Sequence, residues 1–407
     1  MATKAIFSEV KNNGIGYWAV LGIFGLLVLG GAWAFFYIHH HGHHVTGMNN
    51  QIVWGMPHVF AIFLIVAASG AANIATIGTV FSKKIYQPLG RLSAFLAASL
   101  LIGGLLVLLL DLGSISHVTE MAAGHLNFKS IFAWNMILYS GFLAILGAYI
   151  WSMMDRRKLA KSLYKPIGYL NMFWRFMLTM GTGSIFGFLV ARQYYDAAIL
   201  APLFIVASYV FGTAIYTLLI MASFKMTSRD LGDAIVNRLR YTLAIFITLT
   251  LFLELVRHLA NLYATEHHGV EAFILTGGGE MSNLFWFGQI LIGSLIPLFL
   301  IWCRLLKNNR YALMLAATLA ILGGLIQIYV ILIGGQAYPL VLFPNAEVSS
   351  SFADGAINSY SATLPELALG VSGFGLAIVM VIVSMKAFKL LPVSLADSVV
   401  DPHHNND

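Results

Sequence analysis

About ten stretches of roughly 20 apolar residues recur along this chain, and charge is almost confined to the segments between them. A water-soluble domain carries about 25% charged residues, because its surface must be wetted. Here the figure is 10%, against 59% hydrophobic residues in a chain of 407. Such a chain cannot cover a water-facing surface, so its solvent is lipid. The apolar stretches fall near residues 17–38, 52–80, 92–112, 131–153, 168–190, 198–222, 241–262, 284–303, 311–334 and 366–385. The predicted fold class is an all-α integral membrane protein of about ten transmembrane helices, with almost no soluble domain. Met1 to Tyr17 holds Lys4, Glu9 and Lys11 and no small-residue cleavage site. It reads as a short tail ahead of an uncleaved first span.

Basic residues favour alternate connectors. One set holds Lys4 and Lys11, then Lys83, Lys84 and Arg91, then the run from Arg156 to Lys165. It continues with Lys225, Arg229, Arg238 and Arg240, then Arg304, Lys307 and Arg310, and ends with Lys386 and Lys389, giving 19 of the 23 Lys and Arg. The other set holds Lys129 and Arg192 alone, while Arg175 and Arg257 lie within spans. Positive connectors stay cytoplasmic, so both termini are expected inside, as an even number of spans requires. The net charge of +6 then follows from topology and implies no nucleic-acid partner. The opposite face has the longer loops, 112–130, 263–283 and 335–365, which contain Glu120, Glu266, Glu271, Glu280, Glu347 and Asp354. They suit either a docking surface for an extramembrane partner or solvated connectors.

The single cysteine, Cys303, excludes intramolecular disulfides, thiolate-held iron–sulfur clusters and a CxxCH haem attachment. Ionisable groups within spans are costly and mark functional paths by default. His58 lies early in the second span with Trp54 just before it, Asp111 closes the third, and Arg175 sits in the fifth. Glu254, Arg257 and His258 share one face of the seventh span, and Glu366 opens the tenth. The seventh-span trio is either a self-neutralised packing device or a proton relay in which His258 titrates. In Trp54-Gly55-Met56-Pro57-His58, the proline frees a carbonyl and the glycine permits close approach, which suits a flat hydrogen-bonding ring. An interfacial tryptophan beside a satisfied histidine would look the same. His58 and His258 are the two in-span histidines, enough for one b-type haem at most, and neither has a ligand partner at helical spacing. The run His39 to His44 has no nearby carboxylate or cysteine to complete a closed metal site. There is no Walker motif and no His–Glu zinc pattern.

Several segments, in order, resemble the NrfD-type family, also called the polysulfide-reductase membrane-anchor family. Phe63 to Ala71 is similar to the Gly/Ala-rich motif of its first core helix. Asp111-Leu112-Gly113, followed by Asn127 to Ser130 and Trp134, resembles its aspartate–leucine–glycine loop and the start of the next helix. Gly181-Thr182-Gly183 through Phe204, and Ile333 to Leu340 with Pro365-Glu366, resemble later segments of ten-helix members. The resemblance covers roughly residues 50 to 390 and looks strongest toward the branch of Dsr membrane-complex P subunits. Two departures stand out. Some members carry a histidine immediately before the Phe-Leu motif, where this chain has Ile62, with His58 one turn earlier. After the aspartate, the loop runs Ser114-Ile115-Ser116-His117 where members often have proline and arginine.

The resemblance implies two four-helix bundles flanked by the first and last spans, in a prokaryotic cytoplasmic (inner) membrane. Domains are then expected at 1–50, 51–195, 196–335 and 336–407, with the second holding a quinone site. It further implies a menaquinone or ubiquinone ligand, no haem or metal of its own, and a periplasmic iron–sulfur partner alongside other membrane and cytochrome subunits. Quinone-site candidates are Trp54, His58, Asp111, Ser130, Trp134 and Tyr139, with His58, Asp111 and Tyr139 handling protons. A proton path is expected through Arg175, Glu254, Arg257, His258 and Glu366. The function expected is that of a membrane subunit exchanging electrons between quinone and the iron–sulfur partner, in sulfur metabolism. A secondary transporter, a haem b anchor and a purely structural docking anchor remain as alternatives.

Overall fold

The computed structural model describes residues 6–11, 14–113, 118, 120, 124, 126–306, 308–340 and 355–400. Lys4, the stretch from Ser114 to His117, Lys307, Glu347 and Asp354 lie outside the described residues.

Ten long helices carry the fold: α1 (Ile15–His41), α2 (Met56–Val80), α3 (Gly90–Asp111), α4 (Ile131–Met154) and α5 (Lys158–Gly187). They are followed by α6 (Leu200–Met226), α7 (Asp233–Tyr263), α8 (Glu280–Trp302), α9 (Arg310–Ala337) and α10 (Leu364–Ala387). Among the described residues, nine are long and apolar enough to cross a membrane, so the expected all-α membrane architecture is observed. The tenth, α5, is the less apolar one. It begins at Lys158, ten residues before the expected span, and carries Lys158, Lys161, Lys165 and Pro166 in its first turns. Lysine is a good helix former with a long stem that reaches water, so apolar content marks the immersed part of a helix and not its start.

Helix starts follow local chemistry. Ser130 caps α4 by accepting from Phe132 N, and Asn309 caps α9 by accepting from the Tyr311 and Ala312 amides. Pro57 and Pro365 occupy first-turn positions, where no amide donor is needed.

Helices α2, α3, α4 and α5 form one closed ring of neighbours, and α6, α7, α8 and α9 form a second. The rings meet where α2 crosses α6. There Gly70 faces the Ser208 carbonyl and Gly212 faces the Ala71 amide, so closely that a Cβ on either glycine would strike backbone. Helix α2 is apolar all round and 94% buried along its most apolar stretch, consistent with its central place. Helix α10 packs on α2 and α3, whereas α1 packs mainly on α10 and is only 11% buried. A two-residue antiparallel pair, β1 (Phe7–Ser8) with β2 (Leu391–Pro392), ties the two ends of the chain together at one end of the bundle.

Candidate functional site

Polar side chains gather at two places. The first is the start of α2, whose entry segment is held by residues far away in sequence. Gln336, fully buried near the end of α9, accepts from the Val53 and Trp54 amides (3.0 Å each) and donates to the Trp54 carbonyl (3.0 Å). Arg192 bridges the Gln336 and Gln51 carbonyls at 3.1 and 2.9 Å. The Tyr360 hydroxyl accepts from Met56 N and donates to Glu366 Oε1, both at 2.7 Å. Glu366 Oε2 accepts from Gly47 N, Thr363 N and Thr363 Oγ1 at 2.8 to 3.0 Å. Glu366 is therefore a saturated, fully buried clamp between the α10 cap and the approach to α2. Burial, and then the bond to Glu366, push the Tyr360 hydroxyl well above its ordinary pKa, so it stays a donor.

This clamp presents Trp54 and His58. His58 Nδ1 lies 2.9 Å from Asp111 Oδ2 across the α2–α3 gap, with the aspartate side chain fully buried and the imidazole 15% exposed. The approach is close but out of line for a hydrogen bond, and among the described residues neither Asp111 oxygen has a donor. A buried carboxylate in that condition has unused acceptor capacity beside a titratable ring. The Trp54 ring lies near-parallel to His58 (6.5 Å, 29°) and meets Phe132 and Phe186 edge-on at 5.9 and 6.2 Å. Helices α2, α3, α4 and α5 thus all contribute to this end of the first ring.

Of the six residues expected there, Trp54, His58 and Asp111 come together. Tyr139 lies about 12 Å along α4, with its buried hydroxyl 3.1 Å from Thr182 Oγ1 of α5. Ser130 caps α4. Trp134 is 48% exposed and donates its indole N–H to the Phe128 carbonyl at 2.9 Å.

The second gathering lies inside the second ring. Glu254 Oε1 accepts from Gln289 (3.0 Å, α8) and Gln327 (2.8 Å, α9). Its Oε2 lies 3.6 Å from Arg257 Nη1 and 3.9 Å from His258 Nε2, and these three atoms have no hydrogen-bond partner among the described residues. On its other side, His258 Nδ1 meets Glu271 Oε2 at 2.6 Å, and Asn261 donates to Glu271 Oε1 at 2.8 Å. Arg257 stacks 4.0 Å over the Tyr194 ring and donates to the Tyr194 carbonyl at 2.7 Å. Every one of these side chains is at least nine-tenths buried. Glu271 lies in the connection beyond α7. Burial pushes its carboxyl up, but the bond and charge of His258, the Asn261 amide and the Arg257 charge outweigh this and hold it below the ordinary carboxylate range.

The geometry rests on two features of α8 and α9. Leu284–Leu295 of α8 winds as a π-helix, a rare form that turns Gln289 inward, and Gly293 meets Gly323 backbone to backbone. That contact sets Gln289 and Gln327 at one level opposite Glu254. Below Glu254 lies a cavity of about 20 Å³ bordered by Thr250 and Ser294, and Glu271 borders an open pocket of about 280 Å³ with His268 and Thr276. Arg175 stands apart at the ring junction, donating to Asn73 (2.7 Å) and the Tyr209 hydroxyl (3.1 Å).

Gln336, Gln289, Gln327 and Asn261 were not foreseen from sequence, and Glu271 was placed among loop residues. The signal that could have found three of the four was a neutral amide in an otherwise apolar run, which needs a partner as an ionisable group does.

Comparison with known proteins finds one matching family model and relatives named as subunits of reductases and an oxidoreductase. The family model described as "Polysulphide reductase, NrfD" matches residues 44–339. An Hdr-like menaquinol oxidoreductase integral membrane subunit of Archaeoglobus fulgidus is 25% identical over 97% of this chain and 99% of its own length. A selenate reductase subunit of Mesobacillus selenatarsenatis is 25% identical over 86% and 88%. A putative dimethyl sulfoxide reductase membrane subunit of Halobacterium salinarum is 24% identical over 93% and 92%.

Proposed function

This chain belongs to the polysulphide reductase NrfD family, and from that premise we propose that it is the quinone-reactive membrane subunit of a multi-subunit oxidoreductase. The observation that carries the reading is the His58–Asp111 pair: an imidazole against a buried carboxylate whose oxygens have no donor among the described residues, beside a flat aromatic wall. The name of the Archaeoglobus relative supports a menaquinone as ligand. Electrons pass to or from a periplasmic iron–sulfur subunit docked on the long-loop face, in a complex of sulfur metabolism in a prokaryotic inner membrane. The clustering of basic residues in alternate connectors supports cytoplasmic termini.

A quinone bound there exchanges two electrons together with two protons. The protein supplies the acid–base groups. Asp111 faces His58 Nδ1, which favours the tautomer with a proton on that nitrogen and leaves Nε2 to take up or release one. Trp54, pinned by Gln336, offers a rigid face for a flat ring. Ser130 and Trp134 act through α4, one capping it and the other anchoring its start.

The second gathering is the proton route. Glu254 and Glu271 are two potential negative charges, Arg257 is one fixed positive charge, and buried clusters tend to neutrality. Neutrality then requires one further proton, shared among His258, Glu254 and Glu271. Glu271 meets the open pocket on one side, and Glu254 meets a cavity with room for one water on the other. His258 lies between them, so the relay runs from the long-loop face to the middle of α7.

His58→Gln and Asp111→Asn in the assembled complex test the site. Each is expected to lower quinone turnover by about 10²- to 10⁴-fold with assembly intact. Normal turnover in both variants refutes the assignment.

A further inference from the structure

A cavity of about 610 Å³ lies at the opposite, basic end of the bundle, between α1, α6, α9 and α10, apart from both polar gatherings. Its walls include Tyr17, Phe24, Ile215, Ala222, Ile321 and Phe374. The wall on α10 runs from Phe374 to Met385, about 16 Å at 1.5 Å per residue. That is close to half of the ~30 Å hydrocarbon core, the depth of one leaflet. The wall offers little to a polar head group: Ser223 Oγ is spent on Met385 Sδ (3.7 Å) and Thr227 Oγ1 on the Ser223 carbonyl (2.7 Å).

The mouth is different. Lys386 Nζ stands 4.4 Å from the centroid of the Tyr17 ring and 5.7 Å from that of Trp18. Arg229 is fixed beside the lining residue Leu391, donating to the Leu391, Pro392 and Glu9 carbonyls at 2.9 to 3.2 Å. Lys11 and Glu9 flank the lining residue Val10, so the charge around the mouth is net positive. An apolar slot one leaflet deep under a cationic rim matches an acyl chain beneath a phosphate.

We infer that this cavity is a binding site for an anionic phospholipid, whose acyl chain fills the gap between α1 and α6 and whose phosphate meets Lys386, with the charge of Arg229 beside it. The lipid completes the packing of α1, which otherwise rests almost wholly on α10. A quinone is the poorer fit, since the wall's serine and threonine hydroxyls are already engaged.

The full chain, reconstituted in nanodiscs of palmitoyl-oleoyl phosphatidylglycerol or phosphatidylcholine and then delipidated in detergent, tests this by native mass spectrometry. Wild type is expected to retain phosphatidylglycerol preferentially. Lys386→Gln should cut that preference about fivefold, the worth of one lysine near an anionic surface. Ala222→Phe, which fills the slot, should abolish retention of either lipid. Equal retention of both lipids by wild type overturns the proposal, as does a preference unchanged in Lys386→Gln. Recovery of a quinone that Ala222→Phe displaces also overturns it and makes the cavity a second quinone site. Lys386 is a partly exposed residue at the helix end, so its variant keeps the test valid even if Ala222→Phe fails to fold.

Discussion

Replacing Glu254 by glutamine separates the proton route from the quinone site. The substitution preserves side-chain volume and an Oε1 acceptor, so the bonds from Gln289 (3.0 Å) and Gln327 (2.8 Å) survive. What disappears is the negative charge on the side facing Arg257 Nη1 at 3.6 Å and His258 Nε2 at 3.9 Å. Stranding a buried arginine outright would cost about 3–5 kcal/mol. Arg257 is not stranded, because Glu271 remains a counter-charge and the Tyr194 carbonyl still accepts from it. The expected loss of stability is therefore about 1–3 kcal/mol, the range for one charge-assisted contact. Function should change more. With one carboxylate left against one arginine, the cluster is neutral without a labile proton, and His258 no longer needs to hold one. In the complex reconstituted into liposomes with an internal pH indicator, quinone turnover should stay within a few-fold of wild type while protons moved per electron fall toward zero. Unchanged proton stoichiometry would refute the charge accounting. Quinone turnover lost outright in a folded complex would instead place Glu254 at the quinone site.

Three further outcomes follow from the same geometry. Gln336→Leu takes the side-chain acceptor from the part-buried Val53 and Trp54 amides; at about 0.5–1.5 kcal/mol per hydrogen bond lost, the thermal midpoint should drop, with a shift in tryptophan emission. Glu271 has a lowered pKa, so its bonds to His258 and Asn261 contribute in full above its ordinary value of 4.5 and are lost as pH falls below that through the lowered folded value. The stability gap between wild type and Glu271→Gln, followed by thermal unfolding, should accordingly be constant above pH 4.5 and close in more acid solution; a gap that widens there contradicts the assignment. Cys303 is the sole cysteine and partly exposed, next to Arg304. A membrane-impermeant maleimide should label it in inside-out vesicles and spare it in right-side-out ones, and the reverse pattern would invert the topology.

The all-α membrane fold and its ten helices were legible in the sequence because they depend on local quantities. Apolar runs near 20 residues and the scarcity of charge within them can be counted without knowing what any helix touches. The two helix starts that lie well before their expected spans, Lys158 and Asp233, have the same origin, since hydropathy measures immersion and helices extend past it. Glu254, Arg257 and His258 were legible as a trio because helical spacing alone puts them on one face. Asp111 and His58 were each singled out as costly, but their 2.9 Å approach was not, because it depends on how α2 and α3 pack. The remaining contacts were decided by tertiary structure alone. Gln336 reaches the Trp54 amide across 282 positions, and Gln327 reaches Glu254 across 73. Glu271 became a core residue only because its connection folds back onto His258. A neutral amide or a loop carboxylate has no local signature of partnership. Its role is set by which backbone groups and charges the packed helices leave unsatisfied beside it, and that is a property of the assembled bundle.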